Sequence, residues 1–285
     1  MWFFGNVKRW GCCMDFDFFE DNVVQCNRME EAREQLAVHM RGGKIMNKID
    51  RLLVFGDIHG NWERFMDVYQ KVNVNPENDL VVFLGDYLDR GKNPVPVMDW
   101  VLEHFETKNM IFLRGNHEQM FYESLRNEGQ DAGMVDFQIS SPKSLWFAEG
   151  SGGFETYKAI GKSGRGKYLI AAWLQLIEKM SLYAEIEVNG QKYWFVHADC
   201  NPEQPLVKQG SKKLLWERNL AKYPGLHQET QIIVLGHTPV QALYFGSKPQ
   251  WLNQGKVVLM DTGSFLEDGH ISCANLLTKE VWQSN

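Results

Sequence analysis

Residues 51–60 read RLLVFGDIHG. The apolar run Leu52-Leu53-Val54-Phe55 stops at Gly56, and Asp57 and His59 follow at once. A run this short, apolar and bounded predicts a strand buried on both faces. The same grammar returns twice. DLVVFL at 79–84 stops at Gly85-Asp86-Tyr87-Leu88-Asp89-Arg90-Gly91, and NMIFL at 109–113 stops at Arg114-Gly115-Asn116-His117-Glu118. Amphipathic segments of helix length, about 61–72 and 94–106, separate the runs. Strand, helix, strand with short connections predicts parallel pairing in a layered α/β fold.

Further strands are expected at 182–188 and 192–197, joined by the hairpin signal Asn189-Gly190, and at 231–235, 256–261 and 270–277. Two of these end in Val196-His197-Ala198-Asp199 and Leu235-Gly236-His237-Thr238-Pro239. A lone Asp or His at a strand end is ordinarily a cap or a loop hydrogen-bonder. Five such ends together are different, because ligands of parallel sheets bind beyond the carboxyl ends of the strands, and glycines let bulky groups approach. Carboxylates, imidazoles and an amide oxygen without a thiolate suit borderline-to-hard divalent cations. They are too many for one ion. Two ions ~3.5–4 Å apart would share a carboxylate, lower the pKa of a shared water and hold phosphate oxygens.

The totals set bounds. The chain has 285 residues, 44% hydrophobic and 23% charged, with a formal net charge of −6. That is globular composition and gives no support for general nucleic-acid binding. No apolar stretch reaches the ~18–20 residues of a membrane span, and no secretory signal pattern is seen. Cys12, Cys13, Cys26, Cys200 and Cys273 are odd in number and lack a CxxC spacing, which suits a reducing compartment and neither a disulfide framework nor a zinc knuckle. A cytoplasmic location is the expectation.

Residues 1–45 differ from the rest: they hold the clusters WFF and FDFF, with one short helix expected from about Met29. The text changes at Met46, after Gly42-Gly43-Lys44, which a purine-rich ribosome-binding run can encode. Two expectations stand side by side: Met46 is the physiological start, or residues 1–45 are an extension packed on the core. Mass spectrometry of the native N-terminus decides, since a peptide from residues 1–40 would sink the first.

GDIHG, GDYLDRG, RGNHE, VHAD and GHTP, in this order, resemble the calcineurin-like metallophosphoesterases, and more narrowly the PPP-type Ser/Thr protein phosphatases of the phage lambda and bacterial branch. LLWER at 214–218 and DTGS at 261–264 extend the likeness, which runs from about residue 50 to the end. The resemblance implies a domain over 46–285 built as a sandwich of two central mixed sheets flanked by helices, with a helical lid at about 121–180. It implies two divalent ions, manganese first, with Fe, Zn, Ni or Mg as alternatives. Asp57 and His59 would bind the first metal, Asp86 would bridge, and Asn116, His197 and His237 would complete the second. His117 would be the general acid, steered by Asp89, and Arg90 and Arg218 would clamp phosphate. The reaction implied is hydrolysis of phosphoserine and phosphothreonine in proteins by direct attack of a metal-bridging hydroxide, without a phosphoenzyme.

Elementary chemistry agrees with those roles. An alkoxide leaves poorly, and a proton donor of pKa near 7 helps by roughly 10²–10⁴-fold. Arginine forks match phosphate oxygens. The alternative is a nucleotide phosphoesterase of the diadenosine tetraphosphate type; such relatives tend to carry Ala in place of Asp89 and Asp in place of Glu118. A catalytically silent scaffold is the third reading, opposed by the complete ligand set. Arg114 reads as a supporting ion pair, Glu118 as the first-turn acid of the next helix or a support behind the ligands, and Asp199 as an aid to His197 or a solvated loop acid. GKS at 161–163 is no P-loop, because Thr156 stands where glycine is required, and His117-Glu118 is no HExxH, because Phe121 stands where the second His belongs. The aromatic residues between 145 and 173, without basic interleaving, are expected to pack rather than to stack bases.

Overall fold

Strand β1 (Arg51–Phe55) lies parallel to β2 (Asp79–Phe83), and β2 parallel to β3 (Met110–Phe112), with helices α1 (Trp62–Val72) and α2 (Pro94–His104) as the connections. This computed structural model describes residues 49–126 and 144–285. The readings of residues 1–45 and of Met46, and part of the span 121–180, lie outside the described residues. After β3 come α3 (Asn116–Leu125), a 3-10 turn at Leu145–Phe147, α4 (Gly153–Lys162) and α5 (Gly166–Lys179).

The chain then builds a second sheet. β4 (Tyr183–Val188) and β5 (Gln191–Val196) form an antiparallel hairpin, with Asn189 at φ 53° and Gly190 at φ 77° supplying the left-handed turn. The short helices α6 (Ser211–Trp216) and α7 (Asn219–Lys222) follow, then β6 (Ile232–Leu235), β7 (Gln250–Leu252) and β8 (Val257–Leu259). β5, β6 and β8 are parallel, and the sheet order is β4-β5-β6-β8-β7. Finally β9 (Ser272–Asn275) and β10 (Val281–Gln283) return to the first sheet, whose order is β10-β9-β1-β2-β3. The two mixed sheets flanked by helices are the expected sandwich.

Alternation along the strands explains why their text is apolar throughout. Leu53, Phe55, Val81 and Phe83 face the helices, meeting Phe65 of α1, Trp100 of α2, Phe121 of α3 and Trp173 of α5. Leu52, Val54, Val82 and Leu84 point the other way, onto Ile186, Phe195, Val234 and Val258 of the second sheet. That sheet's outer residues, Ile233, Leu235, Val257 and Leu259, are covered by Leu214 and Leu220 of α6 and α7. The Phe83 ring stacks between Phe55 (4.9 Å) and Phe112 (4.7 Å), one ring from each of the three parallel strands. Removing a ring from such a site costs about 3–5 kcal/mol.

Two strands were not expected. β7 and β10 are three residues long and only half-buried, each on the outer edge of its sheet. So short an edge has no readable period. The expected strands at 256–261 and 270–277 shrink to their paired centres, and the freed ends carry loops.

Candidate metal centre and acid site

The ends of β1, β2, β3, β5 and β6 converge. The N–H groups of Ile58 and His59 donate to the Asp86 carbonyl (3.1 and 2.8 Å), and Gly60 N–H donates to the Tyr87 carbonyl (2.8 Å), which locks the first two loops together. The turns are tight enough that His59, Asp86, Asp89, Arg90 and His237 all take positive φ, between 48° and 71°. Left-handed backbone costs a non-glycine residue about 1–2 kcal/mol, and such outliers gather at functional sites. Glycine is required where loops touch: a Cβ on Gly115 would lie 2.1 Å from Asp86 Oδ1, and one on Gly236 would lie 2.4 Å from Asp57 Oδ1.

Asp86 is the hub. One carboxylate oxygen lies 3.6 Å from His59 Nε2, the other 3.4 Å from His197 Nε2. The ligand atoms of His59, Asp86 and His117 lie within 4.8 Å of one another, as do those of Asp86, His197 and His237. Asn116 Oδ1 stands 2.8 Å from both His197 Nε2 and His237 Nδ1. Asp57 lies beside these groups, its carboxylate accepting the His237 N–H (3.0 Å).

The donor set fits a cation. His197 Nδ1–H donates to the Leu84 carbonyl (2.9 Å), and His59 Nδ1–H donates to the Leu88 carbonyl (3.1 Å). In the neutral rings each Nε2 therefore presents a lone pair: that of His59 accepts from Arg90, and that of His197 faces Asp86 and Asn116 Oδ1. Acceptors aimed at acceptors repel unless a cation sits among them, and histidines anchored through their second nitrogen are the usual metal-site pattern. Charge points the same way. Burial, then the charges of Asp261 and Asp86, push the Asp57 carboxyl well up. Burial also opposes ionisation of Asp86, but its neighbours His197 and His117 outweigh it and hold its carboxyl well below the usual range. Burial pulls His59 well down, and burial with His197 pulls His237 to about 2, so both rings are neutral, the form in which imidazole can bind a metal.

His117 differs from the other rings. Its Nδ1 bonds a carboxylate, Asp89 Oδ2, at 2.7 Å rather than a carbonyl, and Nε2 faces the Asp86 side at 3.9 Å. Burial disfavours the imidazolium, yet the Asp86 and Asp89 carboxylates prevail and raise its pKa. Arg90 donates to His59 Nε2 (3.1 Å) and lies over the Phe265 ring at 4.2 Å. Arg218 stands on the exposed link between α6 and α7, bonded to the Trp216 carbonyl (3.1 Å).

Three supporting residues read differently in three dimensions. Glu118 is in the first turn of α3, but it is fully buried and accepts four backbone N–H bonds, from Asp86 (2.8 Å), Tyr87 (2.8 Å), Leu88 (3.3 Å) and Gly115 (2.9 Å). It shapes the loop that carries Asp86 and Asp89. Asp199 is not a solvated acid: it is buried and accepts from the N–H groups of Cys200, Asn219 and Leu220, fixing the chain just after Arg218. Arg114 donates to Gln119 and to the last carbonyls of α5. Asp261, the acid of the DTGS stretch to which the sequence assigned no role, follows β8 in the same strand-then-acid pattern and is buried against the cluster, where burial lifts it to about 6. Sequence reasoning passed over Trp146 and Thr156, which both bond Asp89. No local signal marks those two, since they meet Asp89 only through the fold.

Comparison with known proteins follows the same lines. A family model described as calcineurin-like phosphoesterase matches residues 50–271. The chain is 25% identical over 227 residues to serine/threonine-protein phosphatase 1 of Salmonella typhimurium, covering 76% of this chain and 94% of that one. It is 27% identical over 237 residues to the asymmetrical bis(5'-nucleosyl)-tetraphosphatase PrpE of Anoxybacillus flavithermus, covering 74% and 84%. In fold it resembles a crystal structure provisionally described as a diadenosine tetraphosphatase, with a TM-score of 0.55, 14% identity, and coverage of 84% of this chain and 94% of that one.

Proposed function

The chain belongs to the calcineurin-like phosphoesterase family, and on that premise we propose that it is a serine/threonine protein phosphatase whose acid is His117. One observation carries the choice: the buried Asp89–His117 pair at 2.7 Å. A proton donor matters most when the leaving group is a strongly basic alkoxide, as from phosphoserine or phosphothreonine. The phosphate leaving groups of a dinucleoside tetraphosphate depart without needing a proton as much.

Asp57, His59, Asp86, Asn116, His197 and His237 would hold two divalent ions, manganese being our first choice for a nitrogen and oxygen donor set without thiolate. When bound, such ions supply Lewis acidity and an ionised water near neutral pH. The protein's own groups do the rest. Arg90 would exchange its bond to His59 Nε2 for phosphate oxygens, and Arg218 would close on the phosphate from the opposite loop. As the P–O bond to the leaving group breaks, the His117 Nε2 proton passes to the departing oxygen, and the neutral ring is reprotonated from solvent. Asp89 keeps its hold on Nδ1–H throughout, so the ring cannot rotate or change tautomer. Buried free thiols at Cys200 and Cys273 are in keeping with a cytoplasmic setting.

The second reading, a dinucleoside polyphosphate hydrolase, is favoured by the PrpE relative. The test is a side-by-side measurement of kcat/KM on a phosphothreonine peptide and on diadenosine tetraphosphate, after metal removal and return of Mn²⁺. Preference for the peptide, lost in His117→Asn, supports the proposal. Preference for the dinucleotide overturns it in favour of nucleotide clearance. Failure to turn over either substrate with metal bound points to the scaffold.

A further inference from the structure

We propose that Trp146 and Thr156 are positioning residues for the general acid, clamping Asp89 so that it presents a fixed carboxylate to His117. The inference rests on the acid role of His117 given above. Asp89 is fully buried, and three side chains donate to its two oxygens. His117 Nδ1–H reaches Oδ2 at 2.7 Å, Trp146 Nε1–H is shared between Oδ1 and Oδ2 at 3.0 Å each, and Thr156 Oγ1–H reaches Oδ1 at 2.6 Å. The Thr156 hydroxyl also accepts the Asp89 N–H at 3.1 Å, so one hydroxyl ties both the backbone and the carboxylate of that residue. Trp146 and Thr156 are themselves buried.

A buried carboxylate is costly unless its lone pairs are filled. With only His117 as partner, Asp89 would be free to rotate or to take up a proton, and His117 would lose both orientation and charge support. Burial pushes the Asp89 carboxyl up, and the bonds from His117, Thr156 and Trp146 are what oppose it.

The Gly-rich stretch EGSGGFETY at 149–157, which no metal or phosphate role absorbs, has a place here. Gly152 sits at φ 84°, and a Cβ there would lie 2.3 Å from the Arg90 backbone nitrogen. A Cβ on Gly153 would lie 2.2 Å from the Trp146 carbonyl oxygen and 2.6 Å from its Nε1. The glycine pair thus lets this segment press onto the Asp89-Arg90 turn with Trp146 beneath it and brings Thr156, one turn into α4, over Asp89. The clamp comes from a different part of the chain than any of the candidate metal ligands.

The experiment uses the metal-loaded protein and a series of aryl phosphates from 2,4-dinitrophenyl phosphate, which needs no acid, to phenyl phosphate, which does. kcat/KM is measured for the wild type and for H117N, W146F, T156V and T156S. H117N should steepen the dependence on leaving-group basicity. W146F, which removes one donor, and T156V, which removes the hydroxyl while keeping shape, should steepen it part of the way, with the phenyl-to-dinitrophenyl ratio falling about tenfold, a fraction of the roughly 10²–10⁴-fold an acid supplies. T156S, which restores the hydroxyl, should return the wild-type slope. If W146F and T156V lower every substrate equally, or change none, while H117N is steep, the clamp is refuted and the acid stands. A flat series for H117N removes the acid itself, and the clamp with it.

Discussion

The Asn116 amide oxygen stands 2.8 Å from His197 Nε2, and in the neutral ring, whose proton goes to the Leu84 carbonyl, neither atom has a proton to offer the other. Such a pair is repulsive until a cation joins it. Loading with Mn²⁺ should therefore raise the melting temperature, and chelation should lower it. A ligand present at 100 times its dissociation constant stabilises by about 2.7 kcal/mol. In Asn116→Ala the repulsion is relieved and a ligand is lost together, so the apo protein should hold its stability while the metal-induced shift shrinks. Differential scanning fluorimetry with and without chelator measures both. An Mn²⁺ shift unchanged from wild type would rule Asn116 out as a ligand.

Gly115 and Gly236 have no room for a methyl group beside the Asp86 and Asp57 carboxylates. Gly115→Ala should displace Asp86, the shared hub, and cut kcat/KM on any phosphoester by at least about 10²-fold, the order seen when a small misplacement disturbs a catalytic geometry. Gly161→Ala, at a position with nothing within 4 Å of a built Cβ, is the control and should keep full activity. Equal activity in the two variants would contradict the close approach.

Glu118 gives its oxygens to four buried N–H groups. Glu118→Ala leaves those donors without acceptors, at about 1–3 kcal/mol for a single unsatisfied group. The variant should lose at least that much stability in urea and should bind metal weakly, because the left-handed turn carrying Asp86 loses its brace. Wild-type urea stability would show that water replaces the carboxylate fully.

His227 lies away from the metal centre, buried, with Nε2 donating to the Gln231 carbonyl at 2.6 Å. Burial lowers its pKa below the ordinary 6.5. The folded state therefore binds fewer protons than the unfolded chain below about pH 6.5. The sign follows: stability is fully present above the unfolded pKa and falls as pH drops through and below it. Between pH 7 and 5.5 the urea midpoint should fall, and His227→Leu should flatten the fall whatever it does to absolute stability. An unchanged slope would show that other groups set the acid limit.

Cys200 and Cys273 are buried, and burial pushes both thiols up, well above their ordinary range for Cys273. Thiolate is the reactive form, so neither should react while the fold persists. Iodoacetamide labelling followed by peptide mapping should find both unmodified in native buffer and modified in denaturant. Activity lost in step with modification of either one would reopen a cysteine-based mechanism.

The strand-and-loop text alone determined much of this molecule. Three parallel strands with helical crossovers were legible at 51–113 because strands buried on both faces must be apolar at every position. The convergence of the candidate site residues was legible because each of five apolar runs stops at a polar pair, usually beside glycine. Periodicity and turn chemistry are local, and local patterns can be read along a line. The tertiary structure alone decided the rest. Edge strands β7 and β10 exist only because β8 and β9 offer them partners. Glu118 becomes a brace and Asp199 a buried cap only once the β2 loop and α7 arrive beside them. Trp146 and Thr156 reach Asp89 across 57 and 67 residues of chain. A hydrogen bond needs its partners within about 3 Å of each other in space, and no spacing in the sequence encodes that distance.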